Sequence, residues 1–370
     1  MPNTTNFQIA YPSGNDYVKD GATAMGTIAN GFDSLLGTNG IGGLRNAIIN
    51  GDFSVNQRVF SSTTTSGVYG HDRWQLLKSG GTTTYSTQAF TVGLPAALGY
   101  EATNYARLVT SGQSAAGDYS ILQQNVESVR TFAGAQITVS FWARAGSGAP
   151  SVAVELTQGF GTGGSPSADV NTFVGKVLLS TNWTRYQVSV TLPNLSGKTL
   201  GTSADVLVLR LWTSAGSTFN ARTQTLGIQN STIEFWGVQM ERGTRATPFE
   251  RRPPGVELML CQRYYEKSYP YATAIGTASA VGATATCAFT TASGKTFMMC
   301  YMKVTKRIIP SVTIYSVADG SAGFLFEYGF GNRAATAGNI SDSSFVIYNL
   351  VVLAAANDEC GVHWVANAEY

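Results

Sequence analysis

Short runs that alternate apolar and polar residues fill the middle of the chain. Ala106-Arg107-Leu108-Val109, Ile137-Thr138-Val139-Ser140-Phe141-Trp142 and the stretches 152–156, 186–192 and 206–212 are rich in Val, Thr and aromatic residues, with Gly, Ser, Asn and Pro between them. A period of two sends successive side chains to opposite faces of a strand, so this block predicts an antiparallel sandwich or jelly roll. The same texture returns in 284–289, 296–304, 312–315, 324–330, 345–353 and 361–365, about one further β-sandwich's worth of chain. Before the β-rich blocks the period changes. Val18, Ala22, Met25, Ala29, Phe32 and Leu36 recur at steps of four and three, which lines them up on one stripe of a helix. Asp20 can cap it, and Gly37, Asn39, Gly40, Gly42 and Gly43 end it and supply a flexible linker. A lone helix of this length is marginal in water, so the stripe calls for a partner: its own domain, the same helix in sister chains, or another protein.

Pro253-Pro254-Gly255 marks a boundary, and 256–266 reads as a short helix with Met259, Leu260 and Tyr264 on one side. The predicted organisation is therefore an anchoring segment over 1–44, a jelly roll over 45–252 and a C-terminal domain over 253–370. The predicted fold class is mostly β, with an N-terminal helix, an antiparallel jelly-roll β-sandwich and a second β-sandwich. No repeat of 20–50 residues is visible, which argues against a solenoid, a propeller or a long β-helix.

Composition narrows the function. Charged residues make up 12% of the 370, about half of the roughly 25% usual in globular domains, and 41 positions are Gly. The net charge of +2 and the scatter of 24 Lys and Arg give no basic field, so a nucleic-acid partner is not expected. No apolar run approaches 20 residues, so membrane insertion is not expected either. The opening MPNTTNFQIAYPSG has no basic run followed by an apolar one, so no secretory signal is expected. Cys261, Cys287, Cys300 and Cys360 form no CxxC pair, and with two histidines a zinc site is poorly supported; the even number permits two disulfides, but no framework spacing appears.

Catalytic chemistry finds little footing. His71 beside Asp72 resembles a base with its carboxylate, but neighbours on a strand face opposite ways. His363 reads as an ordinary strand residue. Gly159-Phe160-Gly161-Thr162-Gly163-Gly164 has the glycines of a phosphate loop without its Lys, and reads as a loop at a sandwich edge. Glu155 and Glu234 fall within strands, where each reads as a solvated outer-face carboxylate; a glycosidase would need two acids flanking one bond. Sugar binding asks for less, an aromatic ring under the sugar's C–H face and amides or Arg for its hydroxyls. The candidates are Tyr69, Trp74, Tyr119, Gln123, Phe160, Trp212 and Trp236, each of which can equally be core. No cofactor is expected beyond a structural calcium, for which Asp52 in Asn50-Gly51-Asp52 is the weak candidate; turn chemistry explains that tripeptide as well.

Asn46-Ala47-Ile48-Ile49-Asn50-Gly51-Asp52-Phe53-Ser54-Val55-Asn56-Gln57-Arg58 followed by His71-Asp72-Arg73-Trp74 resembles bacteriophage tail-fibre and minor tail proteins that carry a carbohydrate-binding-module-like jelly roll. The resemblance continues through Phe141-Trp142-Ala143-Arg144-Ala145, Trp183-Thr184-Arg185-Tyr186, Trp236-Gly237-Val238-Gln239-Met240-Glu241-Arg242-Gly243, Ala246-Thr247-Pro248-Phe249-Glu250-Arg251-Arg252 and Cys261-Gln262-Arg263-Tyr264-Tyr265-Glu266-Lys267. Tyr11-Pro12-Ser13-Gly14, Asp20-Gly21-Ala22-Thr23-Ala24-Met25 and Ala366-Asn367-Ala368-Glu369-Tyr370 are similar to the same proteins. These motifs mark strands and core, so they carry a scaffold and no binding residue. The resemblance implies a homotrimeric virion component that folds in the host cytoplasm, with reduced cysteines. It also implies contact with other tail or baseplate proteins through the N-terminal segment and attachment to host surface glycans. The alternatives are a structural virion part without sugar binding and, with less support, a capsule depolymerase.

Overall fold

The computed structural model describes residues 44–93, 99–287, 297–350 and 359–370, together with Met25 and Ile28. Of the predicted assembly stripe, Val18, Ala22, Ala29, Phe32 and Leu36 lie outside the described residues; Met25 is helical and exposed. The chain divides into two units. The first comprises the described residues up to Ser54, then Ser62–Val68 and Trp74–Arg252; the second comprises Val55–Ser61, Tyr69–Arg73 and Pro253–Tyr370. The stretch read as the opening of the jelly roll is thus shared out: Asn46 to Ser54 pack with the first unit, and Val55 to Ser61 with the second.

The first unit holds two antiparallel sheets. One runs β1 (Ser62–Thr63), β3 (Thr82–Ala89), β4 (Asn104–Ser111), β11 (Thr232–Arg242), β6 (Gln136–Ala145) and β9 (Thr184–Thr191). The other runs β2 (Gln75–Ser79), β5 (Tyr119–Glu127), β10 (Val206–Ala215), β7 (Ser151–Gly159) and β8 (Val170–Leu178). From β4 to β7, and again from β8 to β11, successive strands alternate between the sheets, the wrapping of a jelly roll. The sheets come close at one edge, where a Cβ on Gly175 of β8 would sit 2.5 Å from Val188 of β9.

Alternation explains the burial. In β6, Ile137, Val139, Phe141 and Ala143 take one face and are fully buried; in β10, Leu207, Leu209 and Leu211 do the same. Phe235 of β11 meets Phe141 at a ring distance of 5.9 Å. A bulge between Trp236 and Gln239 breaks the β11–β6 register. It is formed at Gly237, where φ is +61° and a Cβ would lie 2.7 Å from the Trp142 ring, so only glycine fits.

The second unit is one antiparallel sheet centred on β19 (Glu359–Asn367). β12 (Tyr265–Lys267) and β13 (Thr284–Cys287) pair with one edge of β19, and β15 (Ser311–Ser316) and β16 (Phe324–Glu327) with the other. From β16 the sheet continues through β17 (Gly331–Gly338), β18 (Ser344–Asn349) and β14 (Phe297–Tyr301). β18 and β19 are three strand spacings apart, about 14 Å if the sheet were flat. Phe345 and Trp364 nevertheless meet at 5.3 Å, so the sheet curls around its core. Met298, Cys300, Ile314, Leu325, Ile347 and Val362 fill that core. The expected second sandwich takes the form of one continuous eight-stranded sheet curled over its core. The helix Pro254–Gln262 begins at the predicted Pro-Pro-Gly boundary, with Pro at its first position where the missing N–H costs nothing. Among the described residues no helix is long and apolar enough to cross a membrane.

Candidate functional site

One face of the five-stranded sheet packs its leucines inward, and the opposite face carries a row of polar groups. Cross-strand register sets Gln75, Gln123, Arg210, Glu155 and Phe173 side by side on β2, β5, β10, β7 and β8. The side chains continue the row through hydrogen bonds. Gln123 Nε2 donates to Gln75 Oε1 at 2.8 Å, Arg210 Nε donates to Gln123 Oε1 at 3.2 Å, and Arg210 Nη1 lies 3.6 Å from Glu155 Oε2. Arg210 Nη1 also donates to Thr157, whose hydroxyl reaches Asn171 Oδ1 at 2.7 Å. Burial draws the Arg210 guanidinium below its ordinary pKa, and the facing Glu155 partly restores it.

Glu155 is fully buried at the end of this row. Arg222, on the short helix Asn220–Thr223, grips it with both Nε and Nη2 at 2.7 Å, and Trp212 Nε1 donates to it at 3.0 Å. The Arg222 guanidinium lies over the Trp212 ring, 5.0 Å from its centre. Tyr119 and Phe219 pack against Trp212 at ring distances of 6.0 and 5.2 Å. Glu155 is thus a charge held by its neighbours, where the sequence suggested a solvated outer-face residue. Glu234 is buried likewise, on the six-stranded sheet, between Arg107 and Arg144.

The structure brings three of the sequence candidates together: Tyr119, Gln123 and Trp212 share this outer face, with Tyr119 half-buried and Gln123 nearly buried. The others lie elsewhere. Trp74 is fully buried and donates its Nε1 to the Asn50 carbonyl at 2.8 Å; Phe160 and Trp236 are also buried. Trp236 lies on the outer face of the six-stranded sheet beneath Phe249, Tyr100 and Trp142. Tyr69 belongs to the second unit, where its hydroxyl reaches the Tyr370 carbonyl at 3.4 Å and burial pushes its pKa up to about 12. Asp52 accepts from the Ser54 amide at 3.3 Å and the Ser54 hydroxyl at 2.8 Å, the bonding of a turn. Among the described residues no cluster of three or more His, Cys, Asp or Glu is arranged to hold a metal.

His71-Asp72 does not lie in a strand. His71 sits in a turn, its ring edge-on to Phe60, and burial holds its pKa at about 3. Asp72 accepts from Gln57 Nε2 and Arg58 Nη1, both at 2.8 Å. Arg58 also reaches Glu369 at 3.3 Å and lies over the Tyr265 ring at 3.8 Å; Arg73 pairs with Glu369 and lies 3.3 Å over Tyr264. His363 is a residue of β19, stacked on Tyr269 at 3.7 Å. Gly159 to Gly164 leaves β7 for β8 as a loop, with φ positive at Gly161, Gly163 and Gly164.

Gln75, Arg210, Glu155, Thr157 and Arg222 are site residues that sequence reasoning did not gather. Alternation within β10 gives the shared face of Arg210 and Trp212, but only sheet order places Gln75 and Glu155 beside them.

No family model and no curated protein matches the sequence. Solved structures do match in shape. A bacteriophage CBA120 tailspike protein 4 enzymatically active domain matches with a TM-score of 0.32 at 11% identity, over 54% of this chain and 22% of that one. A family 11 carbohydrate-binding module from Clostridium thermocellum, in complex with a β-1,3-1,4-mixed-linked tetrasaccharide, matches with a TM-score of 0.31 at 9% identity, over 50% and 99%. A xylan-binding domain from Paenibacillus barcinonensis matches with a TM-score of 0.28 at 11% identity, over 50% and 94%.

Proposed function

We propose that this chain is a receptor-binding component of a phage tail fibre. It attaches to host surface glycans through the outer face of the five-stranded sheet, works as a homotrimer and cleaves nothing. The observation that carries the reading is the row from Gln75 to Glu155: planar amide and guanidinium groups fixed by one another, with Tyr119 and Phe173 as rings nearby. Groups held in place lose little entropy on meeting a pair of sugar hydroxyls, which is what a weak sugar site needs. Three such sites on one trimer would combine millimolar affinities into firm attachment. The phage context rests on the sequence motifs. The non-enzymatic reading is supported by Glu155 and Glu234, which lie on outer faces of different sheets and cannot flank one glycosidic bond.

Full-length protein on a panel of neutral host oligosaccharides tests this directly. Binding is expected, with Gln123→Ala and Arg210→Gln each weakening it about tenfold, the loss of one good hydrogen bond to a charged or amide donor. A panel on which the intact protein binds nothing would favour the structural-spacer reading. The burial of Trp74, Trp212 and Trp236 as scaffold is the observation on that side.

A further inference from the structure

The six-stranded sheet presents a second outer face with different chemistry. Register places Ser86, Arg107, Glu234 and Arg144 in one row across β3, β4, β11 and β6. The Glu234 carboxylate, 3% exposed, accepts from Arg107 Nε at 2.6 Å and from Arg144 Nε. The two Arg side chains are 32% and 34% exposed. Two guanidiniums thus share one carboxylate, which leaves a net positive charge at the wet end of the pair. Each Arg has five N–H donors. Glu234 and the Tyr105 hydroxyl, which accepts from Arg107 Nη2 at 3.2 Å, engage Nε and Nη2 of Arg107, while Glu234 engages Arg144 through Nε, so the Nη1 group of Arg107 and both Nη groups of Arg144 remain for a ligand.

An aromatic wall adjoins these forks. Arg144 lies over Trp183 at 5.0 Å, and Trp183, which is half-buried, packs against Phe90 and Tyr105, each at 5.4 Å. Phe90 and Tyr105 stand 4.7 Å apart. Here the anion fixes two cations in orientation and neutralises one, beside an apolar plane.

We propose that this face binds a carboxylated sugar, a uronic or sialic acid unit of a host polysaccharide. The sugar carboxylate is received by the free N–H edges of Arg107 and Arg144, and its ring lies against Trp183. The arrangement suits a carboxylate because the guanidinium fork presents two parallel N–H donors to two oxygens. The inference does not use the row on the five-stranded sheet, so either can fail without the other.

Calorimetric titration of the full chain with a uronic-acid oligosaccharide, a sialylated one, a sulfated one and a neutral one of equal length decides the matter, with inorganic sulfate as control. A carboxylated member is expected to bind best, with affinity falling at least fivefold between 50 and 300 mM salt. Arg107→Gln and Arg144→Gln should each weaken it tenfold or more, while Lys303→Gln, which removes an exposed cation of the second unit, leaves it unchanged. Should either Arg variant fold poorly, Trp183→Ala replaces it and should weaken carboxylated sugars alone. Equal affinity for neutral and acidic sugars would overturn the proposal, as would binding confined to the sulfated member, binding of inorganic sulfate at the same strength, or undiminished binding by the variants.

Discussion

The two units use the same side chains to opposite ends. In the first, Glu155 and Glu234 are buried while the arginines that hold them stay partly in water: Arg222 at 31% exposure, Arg144 at 34%. In the second, two cations are buried as deeply as their anions, although Arg58 and Arg333 stay partly exposed over Asp72 and Glu327. Arg73 and Lys306 are wholly inside, one on Glu369 and the other 2.6 Å from Glu266. Lys306 spends its remaining donors on the Gln262 and Val304 carbonyls. A cation at the water boundary keeps N–H groups for a ligand, and one sealed in with its partner becomes part of the core. The same Arg–carboxylate–aromatic grouping is thus a candidate recognition surface in one unit and internal scaffolding in the other.

Breaking a sealed pair should have the largest effect. Glu369→Gln leaves Arg73 buried against a neutral amide, and urea unfolding of the full chain should show a loss of about 3–5 kcal/mol. A loss below 1 kcal/mol would mean that water reaches the pair and the contrast between the units is false. Acid should come next, because both histidines of the chain lie in the second unit. His71 has a folded pKa of about 3 against 6.5 when free. Below pH 6.5 the unfolded chain takes up a proton that the folded one refuses, so stability falls from there towards pH 3 and this group has no effect above pH 7. Between pH 7 and 5 the loss is about 2 kcal/mol, at 1.36 kcal/mol per pH unit. His363, whose pKa burial also lowers, adds in the same direction. Unfolding followed at both pH values should show this slope in the parent and a smaller one in His71→Phe. The smallest effect belongs to the first unit: Arg144→Gln should cost no more than about 1 kcal/mol, because Glu234 keeps Arg107. A larger cost would make the Arg107–Glu234–Arg144 row a structural clamp.

Much of the fold was legible in the sequence because alternation is a local signal. The runs around Ile137, Val152 and Val206 became β6, β7 and β10, and Pro253-Pro254-Gly255 opened a helix. Strands with few large apolar positions were harder to read. Thr82–Ala89 is a string of Thr, Ser and Gln, and Gly331–Gly338 is mostly Gly and Ala; pairing with neighbours makes them strands. The candidate site was half legible. Trp and Tyr stood out by their size, yet Trp212 is covered by Arg222, and the groups still in reach of solvent are Arg and Gln that looked scattered along the chain. Charge that is dispersed in sequence becomes a row only when β10 lies between β5 and β7, which no local pattern encodes.

The assignment of Val55–Ser61 and Tyr69–Arg73 to the second unit bears on how that unit folds and on how it can be exchanged. The bond from Arg58 to Glu369 closes a loop of 311 residues, so the unit carries a high contact order and is expected to complete its structure late. A genetic cassette cut at Pro253 would carry away the curled sheet without Arg58, Asp72 and Arg73. Such a graft should remain incompletely packed on any new host until that upstream strap travels with it.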